Sequence, residues 1–166
     1  MTIPTARFRR SAYQIMLAVN ALLLIVALGL ALVNGSWLAA IAVGLPTAFI
    51  PLLLYKMLGD HTLSRVSYGI SFMFFSALFI HETGGMLEMH FGIFVLLAFL
   101  VYYRDWLPIV VGATVIAVHH LSFFALQQQG VGVFVVQEGN WSIIFLHAMY
   151  VVVESAILIY LANQTR

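Results

Sequence analysis

Five histidines, His81, His90, His119, His120 and His147, are the residues of this sequence best equipped for chemistry. Imidazole is the commonest metal ligand, and inside an apolar segment it is costly unless it has a partner. Cysteine is absent, which excludes disulfides and thiolate ligands. Three or four imidazoles without thiolate suit copper, zinc, iron or nickel. Methionines near the histidines tilt the set toward copper, because thioether favours the cuprous state, whereas glutamates pull toward zinc or iron. The alternative cofactor is haem b held between the same histidines, with Gly92, Gly112, Ala113, Ala117 and Ala148 small enough to leave room for the macrocycle. Taken singly, each histidine is more simply an interfacial residue bonded to a carbonyl, and the phenylalanines, Met73 and Met149 are more simply packing. What the single-residue reading does not explain is a shared depth.

Depth follows from the elements that carry these residues. The chain is 63% hydrophobic and 8% charged, against roughly one-quarter charged in a soluble domain. A spanning helix needs about 20 mostly apolar residues, and six such runs occur, at about 11–34, 37–56, 62–82, 86–103, 107–128 and 141–163. They leave little over, so residues 1–166 read as a single membrane-embedded domain: an all-α integral membrane protein built as a six-helix bundle. The first run follows a basic Arg7-Phe8-Arg9-Arg10 stretch. It is too long for a signal-peptide core and lacks a small-residue cleavage site, so it is expected to be retained. Six spans put both termini on one side. Arg7, Arg9, Arg10, Lys56, Arg65, Arg104 and Arg166 all share that side, and the other three connections hold no lysine or arginine. By the positive-inside rule both termini are expected to be cytoplasmic. The net charge is +1, and no nucleic-acid partner is expected.

Counted at about 1.5 Å per helical residue, His81 closes the third helix at the outer boundary and His90 lies roughly one turn inside the fourth. His120 and His147 each lie about 10 Å from the outer ends of the fifth and sixth helices. A site there faces the periplasm. His119 and His120 point about 100° apart, so either one can be the direct ligand. Gly84-Gly85 signals a tight turn, which would make the third and fourth helices a hairpin with His81 and His90 facing each other across it, flanked by Glu82 and Glu88. Met86 and His90 share a helix face. So do His147 and Glu154, where the carboxylate either orients a ligating histidine or bonds to a neighbouring helix. His61, beside Asp60, is expected to be a solvated loop residue. Pro46 and Pro51 should bend the second helix.

The combination of His81-Glu82, Glu88-Met89-His90-Phe91, Tyr103-Arg104-Asp105-Trp106, His119-His120 and His147 ahead of Glu154 resembles the N-terminal membrane region of bacterial methyl-accepting chemotaxis proteins. Similar regions precede diguanylate cyclase output domains. The resemblance covers most of helices three to six, while the first two match only in hydrophobicity. It implies a sensory input module, a homodimer, and a cytoplasmic output domain joined to the sixth helix. The sequence stops at Arg166 with no signalling coiled coil or cyclase, so the expectation is an excised input domain or a stand-alone relative. Tyr103-Arg104-Asp105-Trp106 itself fits an interfacial turn, with Tyr and Trp at the headgroup level.

Three functions are compatible with these residues. The first is a transmembrane sensor binding copper, zinc or iron near the periplasmic face, with the bilayer and an output domain as partners and no enzymatic activity. The second is a redox enzyme or electron-transfer subunit using the same histidines for a metal or haem. The third is a transporter, which the near absence of ionisable groups in the inner halves of the helices argues against.

Overall fold

A computed structural model describes the backbone of residues 3–165 and the side chains of residues 8–165; Arg166 and the Arg7 side chain, both assigned to the positive side above, lie outside the described residues. The chain forms α1 (Ile3–Asn34), α2 (Trp37–Leu58), α3 (Thr62–Glu82), α4 (Leu87–Tyr103), α5 (Trp106–Gln128) and α6 (Trp141–Gln164). Among the described residues there is no strand, and five of the six helices are long and apolar enough to cross a membrane; α4 is apolar but shorter. Every expected run becomes a helix. The largest departure is at α1, which starts at Ile3 rather than near residue 11. Pro4 is well suited to a first helical turn and arginine is a good helix former, so nothing in the basic segment stops the helix.

The central helix is α3, packed by α1, α2, α4 and α5. It is the least apolar of the five long helices because it is enclosed by protein: Ser64, Ser67, Ser71 and Ser76 are buried on it beside Tyr68, Phe72, Phe75 and Phe79. Small residues let neighbouring backbones approach. A Cβ on Gly69 would stand 2.5 Å from the Pro108 carbonyl oxygen, and one on Gly112 would stand 3.3 Å from the Gly69 oxygen. The α3–α5 crossing therefore rests on two glycines. The outer helices carry the opposite pattern, with Leu22, Ile25, Leu32, Val33, Phe145, Val152 and Tyr160 exposed.

Proline in α2 is answered by polar groups. Pro51 has no N–H, which frees the carbonyl four residues earlier. That Thr47 oxygen lies 2.8 Å from Ser71 Oγ, which is also 2.6 Å from Asn20 Oδ1, so one hydroxyl proton serves two acceptors. Asn20 Nδ2 donates to Ala48 O at 3.0 Å. The network joins α1, α2 and α3 in an otherwise apolar interior.

At one end of the bundle, Arg65 pairs with Asp105 through Nε at 2.9 Å and with Asp60 through Nη1 at 2.6 Å. Asp105 also caps α5 by accepting from Leu107 N. The buried rings of Tyr13, Tyr68 and Tyr103 meet above this cluster, with Tyr55 stacked on Tyr13 at 3.9 Å. These contacts bring together the start of α1, the end of α2, the start of α3 and the end of α4. Phe8, Arg104 and Thr165 line one surface hollow, so the start of α1 and the end of α6 share that end too. His61 caps α3 by accepting from Leu63 N, a more specific role than the solvated loop residue expected.

Candidate metal centre

At the opposite end, three helices each turn one histidine toward a common space. His90 lies in the first turn of α4, His120 about two turns before the end of α5, and His147 in the second turn of α6. Each makes the same local bond. His90 Nδ1 stands 3.1 Å from Met86 O, His120 Nδ1 3.0 Å from Ile116 O, and His147 Nδ1 2.8 Å from Ile143 O. A carbonyl oxygen can only accept, so each Nδ1 carries the proton and each Nε2 is left as a bare lone pair; the partner assigns the tautomer. Nε2 of His90 is buried and has no partner among the described residues.

The His90 ring centroid is 5.4 Å from that of His120 and 5.4 Å from that of His147. Three imidazoles bound through Nε2 to one ion, at about 2.0–2.1 Å per bond, would hold their centroids about 5–5.5 Å apart. His90 thus stands at ligand spacing from both partners. Among the described residues no set of three or more His, Asp or Glu side chains is closed into metal-holding geometry. The open side is the one between His120 and His147, whose rings both contact His90. Turning an imidazole about its broad terminal torsion is inexpensive.

The three rings border a cavity of about 20 Å³, completed by Ile93, Ile116, Ala117 and Ile144 among others. That is room for one ion or one water. A separate hollow of about 450 Å³ borders His90 and His147, lined by Phe91, Phe94, Leu146 and Tyr150 among others. Of the small residues considered for a macrocycle, Ala117 and Ala148 line the small cavity, Gly112 is used at the helix crossing, and Gly92 has nothing near it. The lining of the small cavity contains no methionine, carboxylate, lysine or arginine. Met86 and Met149 are exposed.

The other sequence candidates lie around this triad. His119 does not line the small cavity; its ring is 5.4 Å from His120 and packs on Phe123 at 4.4 Å. His81 does not meet His90 across the glycine turn. It packs on Phe134 and accepts from Phe134 N, and it shares a second, larger cavity with His119. Glu82 is buried and accepts from Ser36 Oγ at 2.9 Å, Glu88 is exposed, and Glu154 Oε2 is buried with no partner among the described residues. The orientation of the triad comes from main-chain carbonyls rather than from these carboxylates.

A loop that the sequence did not flag covers the centre. Gln127 accepts from Val135 N at 2.8 Å and donates to Val136 O at 2.7 Å, folding the α5–α6 connection back over the bundle. Val135 and Val136 are buried against Phe124 and Ile144, and the Val135 backbone lies beside His90. Gly85, at φ 83°, receives this loop: a Cβ there would stand 2.6 Å from the Val136 carbonyl carbon. A glutamine in the last turn of a helix, followed by a Val-rich loop, is the signal that could have found the cover.

No protein-family model, curated protein or solved structure matches this chain.

Proposed function

We propose that this chain is the membrane-embedded input module of a sensory protein and that it holds a copper ion between α4, α5 and α6. The observation that carries the metal reading is the tautomer lock: three helices bring to one cavity imidazoles whose Nδ1 protons are committed to carbonyls. This leaves Nε2 as the acceptor, buried and unpartnered at His90, and only a cation or a hydrogen donor can satisfy it. Copper is favoured by charge. The three ligands are neutral and the lining is apolar, and the cost of burying an ion rises steeply with its charge. A monovalent cuprous ion with imidazole ligands therefore suits the site better than divalent zinc or iron. The small space between the three rings suits a single ion.

In this reading the helices span the inner membrane of a bacterium with both termini cytoplasmic. The Arg65 end faces the cytoplasm and the triad faces the periplasm, a placement that the distribution of positive charge supports. The sensory role is supported by the resemblance to chemoreceptor membrane regions, which also supplies the expected partners: a second copy and an output domain following α6. Binding would draw His147 toward His120 and so bias α6, an element that can carry the change to the other face.

The test is X-ray absorption on purified protein loaded with cuprous ion. The expected spectrum shows one copper per chain with an all-nitrogen first shell. A sulfur shell, or no stoichiometric copper, overturns the assignment. A fusion of α6 to a cyclase output should respond to copper and lose the response with His120→Ala; a response that survives that change removes the sensory coupling from the triad.

A further inference from the structure

We propose that the larger cavity beside the triad binds a membrane-borne quinone, entered sideways from the lipid. This inference shares the membrane placement with the reading above but does not depend on copper. The cavity, about 550 Å³, lies between α2, α3 and α5, and its walls include Val43, Ala77, Leu78 and Val118. No lysine, arginine, aspartate or glutamate lines it. Its two hydroxyls are used within their own helix, Thr114 donating to Val110 O and Ser122 to Val118 O. What remains at the polar end is a pair of imidazoles, His81 and His119.

Both have capacity to spare. His81 Nδ1 accepts from Phe134 N at 3.4 Å, so in the neutral ring the proton sits on Nε2, a donor with respect to any occupant. His119 Nδ1 is buried without a partner among the described residues. Unlike the three triad histidines, it does not bond to the carbonyl one turn back. Leaving such groups unpaired in an apolar cavity is costly.

The occupant must be uncharged, because a phosphate or carboxylate would find no counter-charge. It must be largely apolar, because everything but one end of the cavity is apolar. It must carry an oxygen that can both accept from His81 Nε2–H and face His119. A plain acyl chain leaves both imidazoles unpaired. A one- or two-ring quinone with an isoprene unit or two meets all three conditions and suits the volume, with the Phe123 ring, packed on His119, in the cavity wall beside its head. The His119 ring is 5.4 Å from that of His120. A bound quinone head would therefore lie one imidazole pair away from the triad, and its presence could alter the setting of His120.

The test uses the full chain in lipid nanodiscs of phosphatidylcholine, titrated with ubiquinone-1 and menaquinone-1 by calorimetry, with copper stoichiometry measured on the same samples. We expect one quinone per chain. Val118→Phe, at a position already half open to lipid, should fill the mouth and weaken binding at least ten-fold, and His119→Leu should weaken it about five- to ten-fold. Copper stoichiometry should be unchanged in both. His90→Phe should do the reverse, abolishing copper while sparing the quinone. Absence of saturable quinone binding, or binding indifferent to both Val118→Phe and His119→Leu, overturns the proposal and leaves an acyl chain as the occupant. A Soret band in the purified protein that is lost with His119→Leu would overturn it in favour of haem. Loss of copper binding in wild type would refute the metal reading alone.

Discussion

Replacing His90 by phenylalanine separates the metal reading from simple packing, because its effect should reverse with copper. Without metal, His90 is 2% exposed and its Nε2 has no partner among the described residues. An unsatisfied buried group of this kind costs about 1–3 kcal/mol, and the Nδ1 bond to Met86 O returns about 1 kcal/mol. Phenylalanine is of similar size, removes both contributions and adds apolar contact with the Ile93 and Phe94 surroundings. The metal-free variant should therefore be within about 1.5 kcal/mol of wild type. With free cuprous ion at about a thousand times its Kd, wild type should gain about 4 kcal/mol. At this chain length each kcal/mol is worth about 2–4 °C in Tm, which gives a copper-dependent rise of about 8–16 °C. The variant should show none. Thermal unfolding in detergent, with reductant and with or without a cuprous chelator, reads this directly. His61→Asn is the control, since asparagine preserves the α3 cap at the far end and should leave the full rise. A rise that persists in His90→Phe would refute the triad as the site.

Other changes test the frame around it. Cysteines at Gly35 and Gly132 should be labelled from the periplasm by an impermeant thiol reagent and one at Gly59 should not; the reverse pattern would invert the orientation. Gly69→Ala should destabilise the bundle by about 1–3 kcal/mol, because its Cβ would meet the Pro108 carbonyl oxygen at 2.5 Å, backbone that has nowhere to go; unchanged chemical denaturation would contradict the crossing. Ser71→Ala should cost about 1–3 kcal/mol by leaving the Thr47 carbonyl unanswered, a loss read by the same denaturation. Gln127→Ala should release the α5–α6 loop, seen as faster hydrogen exchange at Val135 and Val136 and faster copper loss to a chelator, with the helices unaffected.

Helix number and span were legible because apolar length is a one-dimensional property, and the two ends of α3 were placed at the residues expected. The layer of histidines was legible for the same reason, since depth is a count along a helix. Which rings meet was not. His119 and His120 differ by about 100° in direction, and the choice between them depends on how α5 is rotated, which the Gly69–Gly112 contact sets. His81 and His90 were expected to face each other across the turn, but the turn is filled by Val136 against Gly85, and His81 faces α5 instead. Asn20 is an amide in the middle of the apolar run of α1, which should have prompted a search for its partner; Ser71 lies 51 positions away in sequence. The tie from Arg65 to Asp105 crosses 40 positions, and neither residue's surroundings advertise the other.

The brevity of α4 has a consequence for the membrane itself. Its 14 α-helical residues and 3-residue tight turn span about 27 Å, short of the roughly 30 Å of a typical hydrocarbon core. A bilayer around such a helix is expected to thin locally. With His90 in the first turn of α4, such thinning would, in the proposed placement, lower the aqueous boundary toward the triad and shorten the path of an incoming ion through apolar surroundings. Lipid chain length then becomes a variable of the proposed site: reconstituted in progressively longer-chain lipids, the protein should load copper more slowly, although the three histidines are unchanged.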